Sequence, residues 1–171
     1  MGKNIEIKAH NRQPAAIELI IQKMNLPFGG IRHQTDTFYK TPRGRLKLRE
    51  SDDGAVLIPY LRKNQKGPRS SDYVLLPVED PALTHRILEE MFGLRSVVEK
   101  TRRIWFYENV RIHLDEVEDL GHFIELEGVV DKNNPGGPTL EKVELLMELF
   151  SIGEENLVMK AYVDLMEDND D

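Results

Sequence analysis

Arg45-Leu46-Lys47-Leu48-Arg49 alternates cation and leucine with a period of two. Successive side chains of an extended chain leave on opposite faces, so this stretch reads as a strand. Arg45, Lys47 and Arg49 lie on one side of it, and Leu46 and Leu48 on the other. Taken alone, it is equally the pattern of a solvated strand face. Three cations on one strand face repel each other, however, unless something anionic stands opposite them.

The same alternation recurs along the chain. Residues 3–10 set Ile5 and Ile7 against Asn4, Glu6 and Lys8. Residues 33–39, rich in Thr and aromatic side chains, read as a second strand, and 45–49 as a third. A fourth strand, 56–63, carries Tyr60 and Arg62 on one face, and a fifth covers 72–78. A sixth, 97–107, carries Lys100 and Arg102. Residues 110–114 oppose Val110, Ile112 and Leu114 to Arg111, His113 and the following Asp115. Residues 123–130 oppose Glu125 and Glu127 to Ile124 and Leu126. Turn signals at Pro42-Arg43-Gly44, Asp52-Asp53-Gly54, Lys66-Gly67-Pro68, Asn109 and Leu120-Gly121 join most of these as hairpins. Helical periodicity predicts a helix over 11–24, ended by Gly29-Gly30, with Ile17, Ile20, Ile21 and Met24 as its apolar stripe. A second helix starts at Asp80-Pro81 with Leu83, Ile87, Leu88 and Met91 inward, and Gly93 stops it. A third is capped by Thr139 with Leu140, Val143, Met147 and Phe150 inward, and a short last helix falls within 157–166.

Sorting the charged faces by sign points to one architecture. Arg45, Lys47, Arg49, Arg62, Lys100, Arg102 and Arg111 are basic, whereas Glu6, Asp115, Glu125 and Glu127 are acidic. Helices need apolar sheet surface to pack on, and the apolar strand faces supply it. The expected fold is therefore α+β. It is an eight-stranded antiparallel barrel with helices packed outside and a polar lumen, the reverse of the usual filling of a small barrel. With 171 residues, one domain over 1–171 is expected, with the acidic tail 167–171 frayed and solvated.

The absence of cysteine excludes disulfides and thiolate metal sites. Any metal falls to oxygen donors or to the five histidines. A net charge of −7 argues against nonspecific nucleic-acid binding. No apolar run reaches the length of a membrane span and no signal-peptide pattern opens the chain. The expectation is a cytoplasmic protein, monomer or homodimer, without membrane or nucleic-acid partner. Cations enclosed together call for a polyanion. A Glu-x-Glu pair with a further Glu from another strand is an all-oxygen set suited to Mg²⁺ or Mn²⁺. Together they describe a site for a di- or triphosphate with metal.

These residues resemble a known family, the CYTH domain or triphosphate tunnel metalloenzymes. The resemblance rests on Glu6-x-Lys8, Arg45-x-Lys47-x-Arg49, Lys100-x-Arg102, Glu125-x-Glu127 and the closing stretch from Lys160 to Leu165. Within the family it leans toward bacterial class IV adenylyl cyclase-like proteins, through the stretches 4–8, 33–39, 67–73 and 110–115. The resemblance implies that Glu6, Glu125, Glu127 and Asp115 hold metal. It also implies that Lys8, Arg45, Lys47, Arg49, Arg62, Lys100, Arg102 and Arg111 bind the triphosphate, with Lys160 a further candidate. Asp115, Lys47 and Arg111 are expected to act in the reaction. One departure stands out: the family pattern is Glu-x-Glu-x-Lys, and its first position here is Asn4. The expected activity is conversion of ATP to cyclic AMP and pyrophosphate. The alternatives are hydrolysis of inorganic triphosphate, thiamine triphosphate or a nucleotide, and non-catalytic binding of a polyphosphate or nucleotide. His113 shares the charged face and reads either as a hydrogen-bonded lumen residue or as a base or nucleotide contact. His10, His85 and His122 read as surface or strand-end residues, and Trp105 and Met91 as core.

Overall fold

The computed structural model describes residues 2–61 and 67–169. Their strands and helices run in the order β1 (Gly2–His10), α1 (Pro14–Lys23), β2 (Phe28–Tyr39), β3 (Arg45–Ser51), β4 (Gly54–Leu61), β5 (Arg69–Tyr73), β6 (Leu76–Val78), α2 (Pro81–Phe92), β7 (Leu94–Tyr107), β8 (Val110–Val117), β9 (Gly121–Val130), α3 (Gly136–Leu149) and α4 (Tyr162–Asn169). Eight strands form a ring in the order β3-β2-β7-β8-β9-β1-β5-β4, and β3 pairs with β4 to close it. All of these pairings are antiparallel. The expected barrel is therefore present, with four helices outside it.

The ring contains one strand division that the sequence pattern hid. Residues 72–78 are two strands, not one. β5 pairs with β1 from Gly2↔Tyr73 to Glu6↔Arg69, and β6 then pairs with β4 at Ala55, Val56 and Leu57. Pro77 has no N–H to donate, which suits a strand at the edge. Gly29 and Gly30 do not end α1's segment; they lie in β2, where the pairing with β7 is irregular between Phe28 and Gly30. The two-residue loop Asp52-Asp53 joins β3 to β4, and Gly54 takes the positive φ of 118° that this tight connection needs.

The main apolar core lies outside the ring. Ile7, Ile112, Ile124 and Leu126 of β1, β8 and β9 pack against Ile17 and Ile21 of α1 and Val143 and Leu146 of α3. Each such side chain contributes roughly 1.5–3 kcal/mol by leaving water, so this layer holds the lumen walls in register. Gly128 lets α3 approach closely, since a Cβ there would lie 2.4 Å from Thr139 Cγ2. Thr139 is not the helix cap. α3 begins at Gly136, and the buried Thr139 hydroxyl accepts a hydrogen bond of 2.9 Å from Asn109 Nδ2. Leu146, absent from the expected stripe, is fully buried.

α2 also differs from expectation. None of its residues is buried. It meets the barrel through half-buried Thr84, His85 and Leu88, with Tyr39 Oη 2.9 Å from His85 Nδ1. Leu83, Ile87 and Met91 face outward, and Met91 is 69% exposed, so it is not core. Trp105 is partly buried against the outer core.

A second apolar cluster closes one end of the lumen. Phe38, Val98, Val117 and Phe123, which alternate in phase with the lumen residues, pack on Val158, Ala161, Tyr162 and Val163. The chain before α4 is fastened to β1 by a bridge between Ala9 and Leu157 and by the Val158 N–H donating to Lys8 O at 2.8 Å. The tail continues as helix through Asn169, where fraying was expected from 167, and Glu167 pairs with Arg95 at 2.8 Å. Among the described residues no helix is long and apolar enough to cross a membrane.

Candidate functional site

The lumen holds a cavity of about 540 Å³. Its described wall carries Lys8, Arg32, Lys47, Arg49, Lys100, Arg102 and Arg111 against Glu6, Asp36, Asp53, Glu125 and Glu127. A surplus of cations is thus enclosed in a chain whose net charge is −7. Strand alternation does the gathering: Asn4, Glu6 and Lys8 of β1 share one face, as do Arg32, Gln34, Asp36 and Phe38 of β2.

Pairing across strands sets the neighbours. Glu6 stands opposite Glu127, and Lys8 opposite Glu125, between β1 and β9. Arg111 stands opposite Glu127, and His113 opposite Glu125, between β8 and β9. Glu6, Glu125 and Glu127 are therefore neighbours on one wall. Glu125 lies 3.3 Å from Lys8 Nζ and accepts from Arg102 Nη2 at 2.6 Å. Glu127 lies 3.1 Å from Arg111. His113, Glu125 and Glu127 each bring one ligand-capable atom within 4.8 Å of the others. Four enclosed polar atoms of residues lining this cavity, Asn4 Oδ1, Gln34 Oε1, Arg111 Nε and His113 Nδ1, have no hydrogen-bond partner among the described residues. His113 Nδ1 lies 3.8 Å from Glu125 Oε2, beyond hydrogen-bond reach.

The basic wall is partly neutralised from within, which the strand pattern did not anticipate. Asp36 accepts from Lys47 Nζ at 2.6 Å and from both Nε and Nη2 of Arg49. Lys100 Nζ lies 3.9 Å from Asp36 and 3.7 Å from Asp115. Asp115 accepts from Arg102 Nε and Nη2 at 2.7 and 2.6 Å and from the Tyr162 hydroxyl at 2.9 Å. Asp115 is therefore engaged with Arg102 and Tyr162 behind the cavity wall rather than gathered with Glu125 and Glu127. Arg45 pairs with Asp164 of α4 at 2.7 Å, and neither residue lines the cavity. Lys160 is exposed outside it. Arg62 lies outside the described residues. Of the remaining histidines, His10 and His122 lie exposed on β1 and β9, and His85 faces Tyr39.

The enclosure shifts the titration of these groups. Burial opposes ionisation of Asp36, but Arg49, Lys47 and Lys100 outweigh it and hold the carboxyl well below the usual range. Burial likewise opposes ionisation of Asp115, and Arg102 and Lys100 bring it down to about 2. Arg102 and Lys8 overcome burial to hold Glu125 well below its ordinary value, and His113 and Arg111 do the same, less strongly, for Glu127. Lys47 moves the other way. Burial, with Arg49 adding to it, pulls its ammonium down to about 7 against the attraction of Asp36. Burial and then Arg102 lower His113 below the ordinary imidazole value, against the pull of the nearby carboxylates.

Three close partners of these side chains were given no role by the sequence reading. Asp36 lies within 33–39, and alternation with Gln34 and Phe38 would have placed it in the lumen. Arg69 opens a five-residue strand after a turn. It donates to Glu6 Oε1 at 3.2 Å and reaches the carbonyls of Val158 and Met159 at 3.4 and 3.3 Å. Tyr162 starts a helix, yet its ring lies 3.4 Å from Lys8 Nζ. Arg69 and Tyr162 also fall in stretches that carry the resemblance, 67–73 and 160–165, but no periodicity points either side chain at the lumen.

Apolar surface flanks the charges. Gly29, Ile104 and Phe106 line one part of the cavity, and Ile58, Tyr60, Tyr73 and Leu75 another.

Comparison with known proteins gives this geometry a context. A protein of Methanocaldococcus jannaschii, provisionally named an adenylate cyclase, is 26% identical over 141 residues, which span 81% of this chain and 77% of the relative. Among solved structures, the PH1012 protein of Pyrococcus horikoshii shares the fold with a TM-score of 0.84 at 22% identity, over 95% of this chain and 98% of the other. A Hippeastrum protein, provisionally named an adenylyl cyclase and described as revealing a dominant triphosphatase activity, matches with a TM-score of 0.71 at 15% identity, over 99% and 96% of the two chains. The family model of the CYTH domain matches residues 2–162. With its ring of eight antiparallel strands around a charged lumen, this chain belongs to the CYTH domain family.

Proposed function

We propose that this protein is a divalent-metal-dependent enzyme acting on a nucleoside triphosphate, and that its reaction is adenylyl cyclisation. The observation carrying the reading is the enclosed surplus of cations facing a wall of carboxylates within one cavity of about 540 Å³. That volume suits a ligand of nucleotide size. Lys47, Arg49 and Lys100 would take phosphate oxygens, sharing their charge between Asp36 and the ligand. Arg102, held in place by Asp115, and Arg111, beside Glu127, would meet the opposite end of the polyphosphate. Lys8 would bind between them. The aromatic and aliphatic side chains near Phe106 and Tyr73 would suit an organic group better than a bare inorganic triphosphate.

The residues present fit a divalent cation. Glu125, Glu127 and His113 bring ligand-capable atoms together on one wall, Glu6 stands opposite Glu127 in the register, and Asn4 Oδ1, Arg111 Nε and His113 Nδ1 are enclosed there with no hydrogen-bond partner among the described residues. Mg²⁺ or Mn²⁺ bound there would offset phosphate charge and favour ionisation of an attacking hydroxyl. In the reaction, the ribose 3′-hydroxyl gives up its proton to water, its oxygen forms a bond to the α-phosphorus, and the bond from that phosphorus to the bridging oxygen breaks. Pyrophosphate leaves with its new charge among the guanidinium and ammonium groups of the lumen.

A second reading, hydrolysis of a triphosphate, is favoured by the activity described for the Hippeastrum structure. It uses the same charges, with water attacking the terminal phosphorus. Incubating the protein with ATP, inorganic triphosphate and thiamine triphosphate, each with Mg²⁺ or Mn²⁺, distinguishes the two. Cyclic AMP with pyrophosphate is expected. Orthophosphate alone would replace the first reading with the second. Tight metal-independent binding without turnover of any substrate would overturn both.

A further inference from the structure

We infer that His113 is a metal ligand in this chain, and that its imidazole makes the lumen select a first-row transition ion such as Mn²⁺ or Co²⁺ over Mg²⁺. The inference rests on the divalent-metal reading above and names a donor and a selectivity that the carboxylates alone do not give.

Geometry supplies the first ground. His113, Glu125 and Glu127 place ligand-capable atoms within 4.8 Å of one another, close enough to share one ion. Adjacent pairing fixes this arrangement, since His113 stands directly opposite Glu125 and the next lumen pair along β8 and β9 is Arg111 with Glu127. A rigid sheet, not a loop, therefore presents the donors.

Burial supplies the second. His113 is 3% exposed, faces the cavity, and its Nδ1 is enclosed without a hydrogen-bond partner among the described residues. A buried polar atom left unsatisfied is costly, and native interiors rarely tolerate one without a role. His113 Nδ1 stands 3.8 Å from Glu125 Oε2, so this nitrogen keeps its lone pair or proton beside the carboxylates without closing a hydrogen bond to that oxygen.

Charge supplies the third. Glu125 already faces Lys8 and Arg102, and Glu127 faces Arg111, so the carboxylates have less charge to offer a hard ion. The neutral Asn4 adds no charge to the β1 side. Mg²⁺ binds through charge and oxygen donors, whereas imidazole nitrogen suits transition ions. A wall of partly neutralised carboxylates with one nitrogen donor thus favours the latter.

The test uses untagged full-length protein with Mn²⁺, Co²⁺ or Mg²⁺ alone, and again with inorganic triphosphate present. Pulsed electron paramagnetic resonance of the Mn²⁺-loaded protein is expected to show coupling to one imidazole ¹⁴N. Calorimetric titration is expected to show Mn²⁺ and Co²⁺ binding about tenfold or more tighter than Mg²⁺. In His113→Gln, verified as folded by circular dichroism, the nitrogen coupling should vanish and the transition-ion preference collapse, with Mg²⁺ affinity changed by less than about twofold. Mn²⁺ bound without nitrogen coupling in the wild type overturns this inference and leaves the metal reading standing. That measurement needs no variant, so a misfolded His113→Gln does not protect the proposal. A preference that survives His113→Gln overturns it too. Failure of any of these ions to bind, with or without triphosphate, overturns the metal reading and this inference together.

Discussion

Asp36 and Arg49 face each other across the β2–β3 pairing and are joined by two hydrogen bonds of 2.6 and 2.7 Å. The same carboxylate accepts from Lys47 at 2.6 Å. One buried anion therefore offsets part of the charge of a basic wall whose cations would otherwise repel each other.

Asp36→Asn removes that anion and leaves its cations facing each other in a buried site. Breaking such a buried charge network costs roughly 3–5 kcal/mol. Thermal melting should show a marked drop. Inorganic triphosphate should raise the melting temperature of the variant more than that of the wild type, because the ligand then supplies the missing charge. An equal ligand shift in both proteins would show that Asp36 and the ligand do not share these cations.

Glu127→Gln addresses the acidic wall. Its side chain is 19% exposed and its Arg111 partner 35%, so stability should change by less than about 1 kcal/mol. Turnover of the triphosphate substrate should fall by more than about a hundredfold, since the change removes an anionic donor from the wall assigned to the metal. Unchanged turnover would remove Glu127 from that assignment.

Lys47 gives the lumen a pH signature. Its ammonium, near 10.5 in an unfolded chain, is drawn down to about 7 by burial and by Arg49. A bound polyanion favours the charged form and raises the value again. Between pH 7 and 9 the empty site has lost a proton that the occupied site holds, so binding takes up a proton and affinity falls as pH rises. Calorimetry at pH 8 in buffers of different ionisation enthalpy should record an uptake approaching ~1 proton per site. Lys47→Met should abolish most of it.

Tyr162 links the C-terminal helix to the lumen. Its hydroxyl donates to Asp115 at 2.9 Å, and its ring lies 3.4 Å from Lys8 Nζ. Tyr162→Phe keeps the ring and loses the hydrogen bond, at a cost of about 1 kcal/mol. Tyr162→Ala also opens the apolar cluster with Phe123 and should cost roughly 3–5 kcal/mol. Urea midpoints of the two variants should separate in that order. Similar midpoints would mean that the ring contributes little to closing this end of the barrel.

Period-two alternation was enough to place Glu6, Lys8, Lys47, Arg49, Lys100, Arg102, Arg111, Glu125 and Glu127 on the inner faces of their strands. The reason is local, because backbone geometry alone sends alternate side chains to opposite sides. The same rule held for α1, where a 3.6-residue stripe buried Ile17 and Ile21. It failed at α2, whose apolar stripe faces outward, since periodicity marks a face and cannot say whether a partner covers it. It failed at residues 72–78 as well. There the chain leaves β1 for β4, and that bend follows from ring closure.

By itself, then, the sequence determined most of the strands, their charged faces and the family. Tertiary structure alone decided which charges meet. It gave Asp36 to Lys47 and Arg49, Asp115 to Arg102 and Tyr162, and Asp164 to Arg45, and it set His113 beside Glu125 and Glu127. Those partners are far apart in the chain or on different strands. Register between strands and the docking of α4 bring them together, and neither is written in any local period.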